Sequence, residues 1–535
     1  MSGDLTRNDK QKQQWSGGPI TGDNTGAETY CTVFALAESP KAKGLLWAGT
    51  DDGKVHVTAD DGKAWADVTA NVPGLPDWGT VECLEPSPHD ADTCYLVVDN
   101  HRNDDPRPHV WKTADRGKTW ATLSGTLPQE ANANVVREDP KVKGLLYLGT
   151  ERGLHVSRDA GAHWSPLQLN LPTVPVVGLQ VKGDDLVVGT SGRSLWILDD
   201  LTAVRERDPE AKAAAHLHTV RPATKWAGNS GDIRTQTRGT TAANPAAGAW
   251  VHYRLGDEVK GEVTLEILDA AGKVVATAKG KPAAKPDADD DEEDDDKPPV
   301  GKKERKLGAR PGLNRFVWDL THDGAEAIPG AQVDAGNPTQ GVPVTPGAFK
   351  VRLTAGGKTL EQAFDVTPDP RHKTPPPAGQ EALALKVRDN ITKLAGAVAR
   401  LRLTQKQLAV RKDVLKDFPK GDAGAKDLAA ASDAFGKKLT AIEEKLHNPS
   451  AKIVYDIFSA RGGAMLYSQL SALLANVTDG EGAPTKAMLD ADADLTKALA
   501  DGVAEWDALV AGDGKALNEA AKKLGVPELY FGVAK

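Results

Sequence analysis

The polar segment richest in chemically competent side chains is NHRNDDPRPH, residues 100–109, which offers His101, Arg102, Asp104, Asp105 and Arg107. Imidazoles and carboxylates move protons in general acid–base catalysis, and carboxylates also ligate divalent cations. Asp104 and Asp105 are therefore candidates for half of a glycosidase carboxylate pair or for holding a cation. Adjacent residues seldom point the same way, so joint action on one bond is disfavoured. An ion-paired loop that satisfies its own charges is the favoured reading. Arg193, in TSGRS, is a further candidate, a cation on a Gly-flanked turn after a strand. These six residues are the ligand-binding candidates, and no residue qualifies as catalytic. The sequence has no Ser-His-Asp ordering, phosphate-binding glycine loop, zinc-ligand spacing or dinucleotide fingerprint, so no cofactor and no metal are expected.

Three other acids recur in a repeated octet: TADDGKAW (Thr58–Trp65), TADRGKTW (Thr113–Trp120) and SRDAGAHW (Ser157–Trp164). Ser or Thr ends a strand, and Asp60, Asp115 and Asp159 accept backbone N–H bonds across the turn. Gly62, Gly117 and Gly161 supply the left-handed conformation, and Trp65, Trp120 and Trp164 start the returning strand and pack inside the sheet. The acids thus read as turn-formers rather than catalysts. Each octet follows an apolar strand: ESPKAKGLLWAGT at 38–50, PSPHDADTCYLVV at 86–98 and EDPKVKGLLYLGT at 138–150, with Pro40, Pro88 and Pro140 spaced 48 and 52 apart. A period near 50 built of short strands predicts β-propeller blades, each a four-stranded sheet. LVVGTSGRSLWILDDL (186–201) is a degenerate fourth unit without the octet, expected to close the domain near residue 205.

Beyond it, 206–248 read as irregular, and alternating strands at 249–280, 313–321 and 348–370 predict a small antiparallel immunoglobulin-like β-sandwich. An acidic, disordered insert at 282–304 interrupts it. Residues 287–296 hold nine acids in ten positions, which accounts for the whole net charge of −9. The remainder is balanced, so nucleic acid is not an expected partner. From about 378 the period becomes helical: EALALKVRDNITKLAGAVARLRLTQKQLAV reads as one long amphipathic helix, and Leu466, Leu470, Leu473 and Leu474 form one stripe. The fold class is thus multidomain, mainly β then α, with a partial propeller at 1–205, a sandwich at 206–370 and a helical bundle at 371–535. No apolar run approaches the ~20 residues of a membrane span, and the polar start is not a signal peptide. Cys83 and Cys94 flank two strands and a turn, so a cross-hairpin disulfide is conceivable, but buried free thiols, with Cys31, are the favoured reading.

Several segments resemble large bacterial Asp-box (BNR-repeat) propeller proteins of sortilin type, often labelled glycosyl hydrolases. They are SGDLTRND (2–9), SGGPITGDNTGAETYCTVFALAESP (16–40), HRNDDPRPHVWKT (101–113), GTERGLHVSRDAGAHW (149–164), PLQLNLP (166–172) and GTSGRSLWILDDL (189–201). GLNRFVWDLTHDG (312–324) and PGAFKVRL (346–353) resemble the sandwich that follows the propeller in that family. The resemblance implies an extracytoplasmic protein and identifies the octets as Asp-boxes. It also implies that this chain is the C-terminal part of a longer member, whose missing N-terminal blades, upstream or on a second chain, are an expected partner. Members commonly carry histidine where Ser191 stands here. A sialidase-type site would need a tyrosine nucleophile, but Tyr95 and Tyr147 sit inside repeated strands and only Tyr30 lies outside them. The implied function is recognition of a protein, peptide or glycan, with glycoside hydrolysis as the alternative.

Overall fold

The structure is a computed structural model that describes residues 2–13, 16–17, 22–23, 29–206, 214–226, 245–282, 305–371, 378–419, 421–458, 462–480 and 482–532. The chain divides into two compact units, Met1–Arg207 and Asp208–Lys535. Nearly all of the acidic insert expected at 282–304 lies outside the described residues.

In the first unit a short pair, β1 (Ser16–Gly17) and β2 (Gly22–Asp23), precedes four consecutive antiparallel meanders. Blade 1 is β3 (Val33–Glu38), β4 (Leu46–Thr50), β5 (Val55–Thr58) and β6 (Ala66–Asp67). Blade 2 is β7 (Thr80–Pro86), β8 (Cys94–Asn100), β9 (Asp105–Thr113) and β10 (Ala121–Thr122). Blade 3 is β11 (Ala133–Glu138), β12 (Leu146–Thr150), β13 (Gly153–Ser157) and β14 (Ser165–Pro166). Blade 4 has three strands, β15 (Val176–Lys182), β16 (Asp185–Thr190) and β17 (Leu195–Leu198), and leads into α1 (Thr202–Arg205). The first strand of each later blade lies against the first two strands of the blade before it.

The octets fold as one turn three times. The Thr58 hydroxyl donates to Asp60 Oδ1 at 2.7 Å and accepts from Gly62 N, while Asp60 Oδ1 accepts from the amides of Lys63 and Ala64 at 3.0 Å. Thr113, Asp115 and Gly117, and Ser157, Asp159 and Gly161, repeat this arrangement. Two residues in a row are left-handed, Asp61 with Gly62, Arg116 with Gly117, and Ala160 with Gly161, so the glycine shares a task the sequence assigns to it alone. The Thr119 hydroxyl and amide hold the Asp115 carboxyl down at about 2, and the His163 amide and ring hold Asp159 at about the same value. The tryptophans also depart from expectation, because they pack at the joint with the preceding blade rather than inside their own. Trp120 meets Trp47 of blade 1 edge-on at 5.9 Å, and Trp164 Nε1 donates to Leu123 O at 2.9 Å. Trp65, in the first blade, is less buried and bonds its own turn at Gly62 O.

All three cysteines are free and buried, so the conceivable Cys83–Cys94 bridge does not form. In the β7–β8 ladder Cys83 faces Val97 and Cys94 faces Pro86, three rungs apart rather than opposite.

The second unit contains two hydrophobic cores. One lies between a three-stranded sheet, β18 (Ala215–Leu217), β20 (Ala249–Leu255) and β24 (Gly312–Trp318), and a six-stranded sheet. The larger sheet contains β19 (Ala223–Lys225), β21 (Val263–Asp269), β22 (Val274–Gly280), β23 (Arg305–Lys306), β25 (Gly347–Ala355) and β26 (Lys358–Pro368). Its edges pair in parallel, β19 with β26 and β22 with β23, where the sequence predicts antiparallel pairing throughout. The other core joins α2 (Gln380–Lys416), α3 (Ala423–Leu446), α5 (Leu466–Asp479), α6 (Lys486–Leu509) and α7 (Lys515–Lys523); a short α4 (Val454–Phe458) precedes α5. The predicted leucine stripe of α5 is buried. Arg402 pairs with Glu443 and Lys412 with Asp433, so α2 and α3 run antiparallel, whereas Lys386 with Asp492 and Asn390 with Thr496 set α6 parallel to α2.

Candidate functional site

Each blade carries a bulge in its first strand, between Val33 and Ala35, Val81 and Cys83, Ala133 and Val135, and Val176 and Gly178. The extra residue is Phe34, Glu82, Asn134 or Val177. A bulge leaves one residue outside the ladder and re-aims its side chain. The start of each first strand pairs with the end of the second, which puts the turn between second and third strands beside the bulge. Three of those turns are tied down identically: Asp51 N donates to Thr32 O, Glu151 N to Asn132 O, and Ser191 N to Pro175 O. This end of the blades is a rim on which the six candidates fall.

Residues 100–109 form the blade 2 member of this rim. They are a continuation of the β8–β9 hairpin rather than a free loop: His101–Asn103 make a 3-10 turn, Asp104 is left-handed at φ 61°, and Asp105 already faces Asn100 across the ladder. The segment is held from within. Asp105 takes two bonds from Arg107, Nε at 2.7 Å and Nη2 at 3.0 Å, one from His109 Nε2 at 2.8 Å, and one from Asn100. The Arg107 guanidinium accordingly holds the Asp105 carboxyl far below the usual range. His101 Nδ1 meets buried Asp99, whose other oxygen accepts from His101 N at 3.0 Å. Asn103 reaches back to Trp78 O and Asn100 Oδ1. Arg102, Asp104 and Arg107 are exposed. Asp104 and Asp105 therefore have separate environments.

Arg193 is also exposed, on the β16–β17 turn of blade 4, where its amide donates to Thr190 Oγ1 at 3.2 Å and its carbonyl accepts from Trp196. It shares the rim with residues 100–109 but lies two blades further on. Tyr30, Tyr95 and Tyr147 are all buried, and the hydroxyls of Tyr147 and Tyr30 donate to Asp139 at 3.0 Å and to Trp78 O at 3.4 Å.

The residue that sequence reasoning missed is Glu82. It occupies the blade 2 bulge, and burial pushes its carboxyl up to about 7, with Asp99 adding to the rise, Arg102 opposing it and Glu151 adding further. Glu151, on the blade 3 turn, accepts from Asn134, the bulge residue of its own blade, at 3.1 Å. Blades 2 and 3 thus place Glu82, Asp99, His101, Arg102, Asn134 and Glu151 in one electrostatic neighbourhood. Its chemistry is hydrogen bonding to polar groups through a carboxyl that changes protonation near neutrality. The signal was present, since an acid inside the apolar strand TVECLEP is the kind of polar residue that a bulge turns outward.

Glu82 has a consequence for stability. An acid whose folded pKa stands above its unfolded value binds its proton more tightly in the native state, so stability falls as pH rises from about 4.5 towards about 7. Glu82→Gln is expected to raise the melting temperature at pH 8 and to change it little at pH 5. Equal shifts at both values in thermal unfolding by circular dichroism would refute the burial argument.

Serially stacked antiparallel meanders with recurrent bulges and octet turns define a β-propeller, followed here by a β-sandwich and a helical bundle. No protein-family model matches the chain. A stretch of 102 residues is 32% identical to vacuolar protein sorting/targeting protein 10 of Laccaria bicolor, covering 18% of this chain and 6% of that protein's length. Among solved structures, YCF48 from Cyanidioschyzon merolae is 15% identical with a TM-score of 0.24, covering 31% of this chain and 53% of that one. The GH74 xyloglucanase of Xanthomonas campestris is 16% identical with a TM-score of 0.27, covering 66% and 55%. The blade geometry carries the fold assignment on its own. Among the described residues no helix is long and apolar enough to cross a membrane.

Proposed function

We propose that the chain is a binding module whose blade rim recognises a protein, peptide or glycan outside the cytoplasm, with further blades completing the ring and residues 206–370 and 371–535 serving as scaffold domains. The observation that carries this reading is how the rim's charges are disposed. Asp105 and the three octet aspartates are saturated by their own turns, while Arg102, Asp104 and Arg193 stand exposed beside Glu82 or at the equivalent turn. Recognition sites combine such exposed charges with apolar anchors, and Phe34 and Val177 supply apolar side chains at the equivalent bulges.

The test is a peptide and glycan array probed with the full chain and with Arg102→Ala. Loss of a desalted, saturable signal by tenfold or more, about 1.4 kcal/mol, with unchanged circular dichroism supports the rim as the binding surface. An unaltered array profile removes Arg102 from it.

Glycoside hydrolysis is the second reading, favoured by Glu82 and Glu85 of β7, whose carboxyls burial pushes up to about 7, since a carboxyl that stays protonated near neutrality is what a general acid requires. Turnover on a glycan panel that disappears in Glu82→Gln would displace the binding reading. Saturable peptide binding without turnover would displace the hydrolase.

A further inference from the structure

We propose that Trp78 anchors the rim's ligand by taking a cationic side chain of a basic peptide on its indole ring, and that residues 4–12 hold this position in cis as a displaceable strap. The inference rests on the reading that the blade rim is a recognition surface, and it names the partner's chemistry.

Trp78 lies between β6 and β7 at φ 61°, in the left-handed region that a bulky side chain enters only under constraint. The constraint is visible. The Trp78 carbonyl accepts from the Tyr30 hydroxyl at 3.4 Å and from Asn103 Nδ2 at 3.3 Å. Its amide lies against the β4–β5 turn, where a Cβ on Gly53 would stand 3.5 Å from Trp78 N. Trp78 therefore joins the rim turn of blade 1 to residues 100–109 of blade 2. Core packing does not call for this pose, because the indole stays only half-buried. Backbone strain kept at such a surface residue marks a functional position.

What sits on the ring selects the ligand. The Arg7 guanidinium carbon lies 4.3 Å and Lys12 Nζ 3.5 Å from the ring centroid, and Tyr30 stacks against the same indole at 6.0 Å. An indole face attracts cations through its quadrupole. Asp77 pairs with Arg7 at 2.6 Å yet keeps its side chain 74% exposed, and buried Asp52 accepts from Arg7 N at 2.7 Å. Leu5 O meets His56 Nε2 at 2.7 Å. The strap thus engages the blade through two main-chain groups and two cationic side chains, which is what an extended basic peptide offers from outside. An acidic ligand would bring like charge to Asp77, and a neutral sugar stacked on the indole would leave Asp77 unanswered. The strap is also loosely held where it covers the ring. Lys12 is exposed and makes no ion pair among the described residues. Exposed cation–π contacts and ion pairs are individually weak, so a peptide that carries both displaces it.

The experiment titrates the full chain into a fluorescently labelled peptide of residues 4–12, DLTRNDKQK, and reads anisotropy. Arg7→Ala with Lys12→Ala vacates the ring, and the peptide is expected to bind this double variant about tenfold more tightly than wild type. Trp78→Leu added to that background is expected to abolish binding, and Asp77→Asn to weaken it several-fold. Asp77 is exposed, so its substitution leaves the fold intact, and unchanged circular dichroism shows the same for the others. A peptide with glutamine in place of both cations is expected not to bind. Equal affinity of wild type and double variant overturns the proposal. So does binding indifferent to both Trp78→Leu and Asp77→Asn, or a glycan that takes the vacated ring in the peptide's stead. Array binding that depends on Arg102 but ignores Trp78 would leave the rim reading standing while this inference fell.

Discussion

Gly149→Ala is expected to destabilise the propeller unit by about 2–3 kcal/mol and to lower its melting temperature by roughly 5–10 °C. The added methyl would stand 2.6 Å from both Val176 Cγ1 and Val176 O, and 2.8 Å from Val135 Cγ1. One of these atoms is backbone, held in the β15 ladder, so rotamer changes cannot relieve the clash and the joint between blades 3 and 4 must open. The matched control is Gly189→Ala. There the added methyl would make only ordinary van der Waals contact, 3.6 Å from Gly178, and the change should stay within about 0.5 kcal/mol. Thermal unfolding of the two variants checks the contrast. Equal losses would mean that glycine serves strand geometry at both sites rather than blade approach.

Arg205→Met is expected to cost about 3–5 kcal/mol. Arg205, on α1, donates from Nε to Asp139 at 2.8 Å and pairs with Asp184. Asp139 is fully buried at the start of the blade 3 β-turn and also accepts from Lys141 N, Val142 N and the Tyr147 hydroxyl. Removing the guanidinium leaves a buried carboxylate with neutral donors alone, which is far more costly than losing a surface ion pair. Adding Asp139→Asn to Arg205→Met should recover part of the loss, because the uncompensated charge disappears. A loss below about 1 kcal/mol in chemical denaturation would mean that the clamp is not fixed in solution.

The blades and their octet turns are legible in the sequence because both rest on local physics. Asp60 caps amides three and four residues away, and the strand runs around Trp47 and Tyr147 repeat with fixed spacing. The bundle is legible for the same reason, from helical periodicity. What the sequence concealed is set by contacts between repeats. Trp120 and Trp164 read as components of their own sheets, yet they settle on the preceding blade, because that joint offers an aromatic partner and a carbonyl. Glu82 was overlooked because the bulge that takes it out of the ladder is a pairing irregularity, visible once β7 is set against β8. The segment 100–109 was legible in composition but not in shape. Its two prolines suggest a loop, whereas both are accommodated within β9. The parallel edges of the sandwich depend on segments distant in sequence, β19 against β26 above all, for which no local pattern exists.

The recurrent bulge has one more consequence. Phe34, Glu82, Asn134 and Val177 occupy one structural address four times over, and each lies outside the hydrogen-bond ladder that keeps its blade together. An aromatic ring, an acid, an amide and an aliphatic group have been fitted there with the same scaffold beneath them. Such positions behave as an interchangeable alphabet: the letters can be rewritten singly, by mutation or by design, while the grammar that folds the blades stays untouched.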